Sequence, residues 1–171
     1  MLLPKRIYTA FLLSVGFWCL AIVAPPLLHA LGGPAAKSVG DAMYFGFSRV
    51  CHQIDGRSLH IFGIKLGVCI RCTSIYFSFL AGLLVYPIAR SLDSVTVPER
   101  RWLLLAVAPM AVDAFLNDLN VHQSGDFTRL VTGCIAGFVL AFYILPLVIE
   151  ALTQLSVHRN YQGDSRYAGQ T

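Results

Sequence analysis

The stretch IYTAFLLSVGFWCLAIVAPPLLHAL, residues 7–31, contains no Asp, Glu, Lys or Arg. It is long enough to cross the hydrocarbon core of a bilayer, which takes about 20 apolar residues in a helix. Residues 72–89 and 130–149 also lack these four charged residue types. The whole chain is 56% hydrophobic and 13% charged, whereas a soluble domain carries about 25% charged residues. These features predict an integral membrane protein.

A fourth apolar segment, residues 102–120, is interrupted by Asp113. Ionisable residues inside a membrane span are costly and usually face the interior of the bundle, so we interpret this segment as a span too. The sequence therefore predicts an all-α integral membrane protein with a single membrane domain over residues 1–171. We expect four transmembrane helices at about 7–31, 66–89, 102–120 and 129–152, and a polar, mobile tail at 158–171.

The amino terminus allows two interpretations. Lys5 and Arg6 before an apolar run are also typical of a signal peptide. We favour a retained helix, because the run is long and Leu28 does not suit a small-residue cleavage site. Pro25 and Pro26 are then expected to bend or end the helix.

Basic residues give the expected orientation. The distribution of Lys and Arg favours cytoplasmic termini, with the first loop outside, in a multi-pass protein of the cell membrane. The net charge of +4 fits contact with the anionic lipid of the bilayer, which is the expected partner, and does not indicate nucleic acid. The sequence identifies no protein partner.

Polar residues concentrate at places that four spans would bring to one membrane face. These places are the first loop, the start of the second span, the end of the third and the start of the fourth. Asp113, Asn117 and Asn120 recur at i, i+4 and i+7, on one side of the third span. The full set is Cys51, His52, His60, Cys69, Arg71, Cys72, Asp113, Asn117, Asp118, His122, Asp126, Arg129 and Thr132. It indicates either a functional site or hydrogen bonding that only holds the bundle together.

The first loop, residues 38–65, is expected to be partly helical and to lie at the membrane interface. Asp41 would cap a short helix that ends near Cys51 and carries the apolar residues Met43, Tyr44, Phe47 and Val50. Asp55-Gly56 predicts a turn, and residues 58–64 a short extended piece. Further on, the sequence GCIAG at 133–137 is a pattern that lets two membrane helices approach closely.

Cys69 and Cys72 form a C-x-x-C motif at the start of a predicted helix. The helix dipole and neighbouring Arg71 both favour a thiolate there, which suits metal binding or disulfide exchange. With Cys51 and His52 the motif completes a Cys3His set, which is typical of a tetrahedral zinc site. Iron or haem are alternative cofactors.

Several alternatives stay open for these residues. Adjacent residues rarely both bind one ion, so His60 or Asp113 could replace His52 as the fourth ligand. Cys69 and Cys72 could instead form a reversible disulfide with Cys51 as the resolving thiol, in a membrane thiol-disulfide oxidoreductase. The three cysteines could also be purely structural, as we expect for Cys19 and Cys134.

A third functional class is a transporter or assembly subunit in which Asp113, Asn117 and Arg129 line a path.

Four sequence motifs resemble those of a prokaryotic family of predicted small membrane proteins of unknown function. They are CHQ at 51–53, VCIRCTSIY at 68–76, Asp113, and RLVTG at 129–133. The family pattern reads CHQ, VCxRCTGIY, a D-G-x-x-Q helix and R-x-S-x-N-x-x-R-x-x-TG. The resemblance covers about residues 49–137 and implies a membrane location and a shared site, without a reaction.

The chain departs from the family pattern at three places. Ser74 replaces the glycine of CTGIY, the third motif has Asn117 in place of glutamine and lacks its glycine, and the segment before Arg129 reads VHQSGDFT.

Overall fold

The computed structural model describes residues 2–93, 96–119 and 124–168, with side chains given for residues 3–93, 96–119 and 124–156. The described chain is mostly helical. Its helices are α1 (Leu2–Leu31), α2 (Pro34–Phe47), α3 (Ile70–Ala89), α4 (Arg100–Asp118) and α5 (Asp126–Ala168). Between α2 and α3 lie a single turn of 3-10 helix (Asp55–Arg57) and an antiparallel hairpin of β1 (His60–Ile61) and β2 (Ile64–Lys65). The segment that we expected to be a mobile tail continues α5 as far as Ala168.

Three of the described helices are long and apolar enough to cross a membrane. They are α1 over Leu3–Leu31, α3 over Ile70–Ala89 and α5 over Asp126–Ser156. Helix α4 is not among them, because Arg100, Arg101 and Asp113 add charge to its 19 residues. A mostly helical protein with membrane-spanning helices is therefore supported, and the fourth span stays a prediction.

Helix α2 starts earlier than the sequence indicated. Gly33 lies in the extended conformation before it and Pro34 occupies its first turn, where the fixed φ of proline suits a helix start. The expectation that Asp41 caps this helix was therefore wrong. Asp41 lies inside α2, with its Oδ1 atom 3.2 Å from Nε2 of His29 on α1.

The two prolines of α1 were expected to bend or end the helix, and the second of these alternatives was wrong. Pro25 and Pro26 lie inside this helix, which continues to Leu31. They therefore do not end it.

One glutamine ties the first loop to α2 and to the segment before α3. The side-chain amide of Gln53 donates to the carbonyls of Tyr44, at 2.9 Å, and Gly67, at 2.8 Å. Nζ of Lys65 in turn donates to the Gln53 carbonyl at 3.0 Å. These bonds tie the end of α2 to the segment that leads into α3. A small core beneath the loop consists of Ile22, Phe47, Cys51, Leu66 and Val68.

Helices α3 and α5 approach closely at two glycines, as the GCIAG sequence predicted. A Cβ atom added at Gly137 would lie 2.2 Å from the carbonyl oxygen of Ile75, and one added at Gly133 would lie 2.0 Å from Oγ of Ser74. At Gly137 the obstructing atom belongs to the backbone, so no side chain fits there, whereas at Gly133 the Ser74 side chain would have to move. The close contact fixes the start of α5 beside the start of α3.

Candidate metal centre

Three cysteines meet where the first loop joins α3. Cys51 follows the end of α2, Cys69 is the residue that caps α3, and Cys72 lies in its first turn. Their Sγ atoms all lie within 4.8 Å of one another, and together they could hold a metal ion. The predicted proximity of Cys51 to the C-x-x-C motif is thus confirmed.

The sulfur of Cys51 is surrounded by hydrogen-bond donors. The thiols of Cys69 and Cys72 donate to it and lower the pKa of Cys51. The amide N–H of Cys69 at 3.2 Å and that of Gln53 at 3.5 Å act in the same direction. Burial opposes this effect without reversing it. These contacts favour the thiolate form of Cys51, and the thiolate is the form that binds metals.

A cavity of about 290 Å³ opens beside the three cysteines. Its remaining lining comes from the first loop, the start of α3, the end of α4 and the start of α5. Those residues are Val50, His52, Ile54, Arg57, Arg71, Ala114, Asn117, Asp118 and Arg129. The expectation that these parts of the chain share one end of the bundle is confirmed.

A buried polar network closes the cavity on the side of α4. Arg71 on α3 pairs with Asp113 on α4 through its Nη2 atom. Arg129 on α5 donates to Oδ1 of Asn117 at 3.3 Å and to Oδ1 of Asp126 at 3.1 Å. The predicted stripe of Asp113 and Asn117 thus faces the bundle interior. Asp113 is paired with Arg71 rather than with Arg129.

The remaining predicted residues lie outside the cysteine cluster. His52 is exposed and lines the cavity, but its ring nitrogens are not part of the group of converging ligand atoms. His60 lies 3.3 Å from Asp55, away from the cavity. The hydroxyl of Thr132 donates within α5, to the carbonyl of Thr128. Asn120 and His122 lie outside the described residues.

The other two cysteines behave as expected of membrane-core residues. Cys19 is buried and its thiol donates to the carbonyl of Tyr76 at 3.5 Å. Cys134 is half-buried on α5 and does not belong to the cluster.

Two residues of the site were not singled out from the sequence. Gln53 positions the loop through its two hydrogen bonds, and its signal was its place directly after Cys51 and His52 in the CHQ motif. Arg57 lines the cavity from the 3-10 turn. No spacing rule pointed to Arg57, because its position depends on how the loop folds back.

The comparison with known proteins agrees with this architecture. A family model described as "Predicted membrane protein (DUF2085)" matches residues 51–143, more than half of the chain. The chain belongs to this family. The matched segment begins at Cys51 and contains the whole cysteine cluster together with Asp113 and Arg129.

An uncharacterized protein of Methanocaldococcus jannaschii is 37% identical to this DUF2085 member over 150 residues, covering 86% of this chain and 96% of the relative. No solved structure matches. The family and the apolar helices together indicate a membrane location.

Proposed function

We propose that this protein is a metal-binding membrane module in which Cys51, Cys69 and Cys72 hold the ion, with zinc as the first choice and iron as the alternative. The observation that carries the proposal is the approach of three Sγ atoms to within 4.8 Å of one another. In a tetrahedral site with zinc–sulfur bonds of ~2.3 Å, the sulfurs lie about 3.8 Å apart. The cluster would need to contract by about 1 Å or less.

A site of three cysteines leaves one coordination position open. Structural zinc sites have four protein ligands, whereas catalytic ones have three and bind water or substrate at the fourth position. Here the fourth position would face the cavity, where His52 and Arg57 also lie. Zinc with three thiolates carries a net charge of about −1, which the lining arginines offset. This arrangement favours an ion that exchanges a ligand over one that is enclosed.

Metal analysis together with thiol counting tests the proposal. The purified chain should contain about one equivalent of metal, and Cys72→Ser should lose it. Cys134→Ser is the matched control, because Cys134 lies outside the cluster, and it should keep the metal. Protein without metal, but with a Cys69–Cys72 bond that opens in mild reductant, would contradict the proposal.

A thiol-disulfide oxidoreductase is the second candidate function. The observation that favours it is the lowered pKa of Cys51 beside a C-x-x-C pair, since a thiolate is the attacking group in disulfide exchange. In this case two of the three cysteines would form one bond and the third would remain a thiol. Redox titration of the metal-free protein would then give a two-electron transition that the double variant Cys69→Ser/Cys72→Ser abolishes.

We further propose four spans with both termini in the cytoplasm. Two contacts support alternating helix directions: Tyr8 near the start of α1 bonds to Leu83 late in α3, and Arg71 at the start of α3 pairs with Asp113 late in α4. Reporter fusions at Gln53 and Arg100 should give opposite sides. Reporters on the same side would exclude four spans.

A further inference from the structure

We infer that the cavity beside the cysteine cluster binds a small oxyanion, a carboxylate or phosphate group, through the guanidinium groups of Arg57 and Arg71. Among the described residues, the cavity is lined by the three arginines Arg57, Arg71 and Arg129 and by one acidic residue, Asp118.

The described hydrogen bonds of Arg71 do not use all of its donors. Its Nη2 group is taken by Asp113. Its Nε atom is buried and has no hydrogen-bond partner within the part of the chain that the structure describes. A buried donor without an acceptor costs about 1–3 kcal/mol, and an acceptor bound in the adjoining cavity would remove that cost.

Arg57 is the second arginine with unsatisfied donors. Its half-buried side chain lines the cavity, and among the described residues its guanidinium has no carboxylate or carbonyl partner. Arg129, by contrast, already donates to Asp126 and Asn117. A planar oxyanion can accept two parallel bonds from a guanidinium. A cationic or apolar ligand would leave these donors unsatisfied.

The size and position of the cavity limit the ligand. A volume of about 290 Å³ lies at the lower end of small-molecule pockets, ~300–1,000 Å³. The cysteines form part of the same wall, so a bound anion would lie next to them. Any coordination of that anion to the ion rests on the proposed metal site, whereas binding by the arginines does not. The oxyanion could come from a soluble molecule or from a lipid headgroup.

Anion affinity of the full chain tests the inference. Kd is measured by calorimetry for inorganic phosphate and for acetate in detergent, and by thermal protection in nanodiscs with and without phosphatidylglycerol. Arg57→Gln is the test variant, because Arg57 holds no other described side chain in place. Arg49→Gln is the matched control, since Arg49 lies in the same loop over the Phe45 ring and does not line the cavity. Arg57→Gln should weaken binding about tenfold or more, and Arg49→Gln should leave Kd unchanged.

Two results would overturn the inference: equal Kd values for the two variants, or no binding of any probe. Arg57-dependent protection seen only with phosphatidylglycerol would support it and identify the headgroup as the source. Metal content is measured on every sample. Arg57-dependent binding by protein that never contains metal would support the anion site and refute the metal proposal. Metal-loaded protein that binds no anion would support the metal proposal and refute the anion site.

Discussion

Asp113→Ala should destabilise the protein strongly, because it leaves Arg71 as an unpaired charge. The two side chains are 9% and 20% exposed, respectively. Removing one partner of a buried ion pair costs about 3–5 kcal/mol, and the partial exposure of Arg71 favours the low end, about 3 kcal/mol. For a chain of this size that cost lowers the unfolding temperature by about 6–12 °C.

A competing estimate comes from membrane proteins, in which hydrogen bonds between helices contribute on average about 0.6 kcal/mol. That average describes neutral polar side chains such as Ser, Thr, Asn and Gln. The arginine left behind by Asp113→Ala stays charged, so the cost of the unpaired ion should dominate the free energy of unfolding.

Matched variants separate this effect from general damage. Glu99→Ala breaks the pair with Arg101, whose side chains are 66% and 67% exposed, and should cost less than about 1 kcal/mol. The double variant Arg71→Met/Asp113→Leu removes both charges and should recover most of the stability that Asp113→Ala loses. Circular dichroism during heating in detergent measures all of them. The reasoning is refuted if Asp113→Ala unfolds at the same temperature as Glu99→Ala, or if the double variant is less stable than Asp113→Ala.

Three further outcomes are expected. Gly137→Ala should cost about 1–3 kcal/mol, because its Cβ would lie 2.2 Å from a backbone oxygen. Gly16→Ala should be neutral or stabilising, because a Cβ there has nothing within 4 Å. Urea or thermal unfolding compares the two variants. Gln53→Ala should cost about 1–2 kcal/mol, since the Gly67 carbonyl loses its described donor while the Tyr44 carbonyl keeps the Ser48 amide. Gln154→Ala on an exposed surface should stay within about 0.5 kcal/mol. In metal-free protein, the pKa of Cys51 is lowered by folding. The thiolate therefore stabilises the folded chain fully above the ordinary thiol pKa, and this contribution declines as pH falls below that value. Cys51→Ser should remove this pH dependence from unfolding data collected between about pH 6 and 9.

Hydropathy predicted much of the fold, because long uncharged runs have few alternatives to membrane helices. It placed α1, α3 and α5 to within a few residues at most ends. It could not decide α4, because two of its polar residues serve tertiary contacts: Asp113 and Asn117 are buried in the network with Arg71 and Arg129. A hydropathy profile counts such residues against a span, whereas the folded structure buries them.

The candidate site was predictable where it depended on motifs and not where it depended on loop conformation. Cys51 meets the C-x-x-C pair because the chain between them, which includes the β1–β2 hairpin, folds back on itself. Gln53 holds this segment through its hydrogen bonds to Tyr44 and Gly67. Helical periodicity correctly put Asp113 and Asn117 on one face, but it could not select the partner arginine. Both arginines lie at this end of the bundle, where Gly133 and Gly137 bring α3 and α5 into close contact.

His52→Ala provides the sharpest test of how many protein ligands the site has. A tetrahedral Cys3His site would lose one of its four protein ligands in this variant, so its metal affinity should fall. In the folded chain, however, His52 is exposed and its nitrogens do not join the three sulfurs. We therefore expect His52→Ala to retain about one equivalent of metal, as Cys134→Ser does, with the fourth position taken by water or an exogenous ligand. Metal analysis after dialysis against a weak chelator compares the variants. Loss of metal from His52→Ala to the same extent as from Cys72→Ser would show that the loop moves on binding and brings the histidine to the ion.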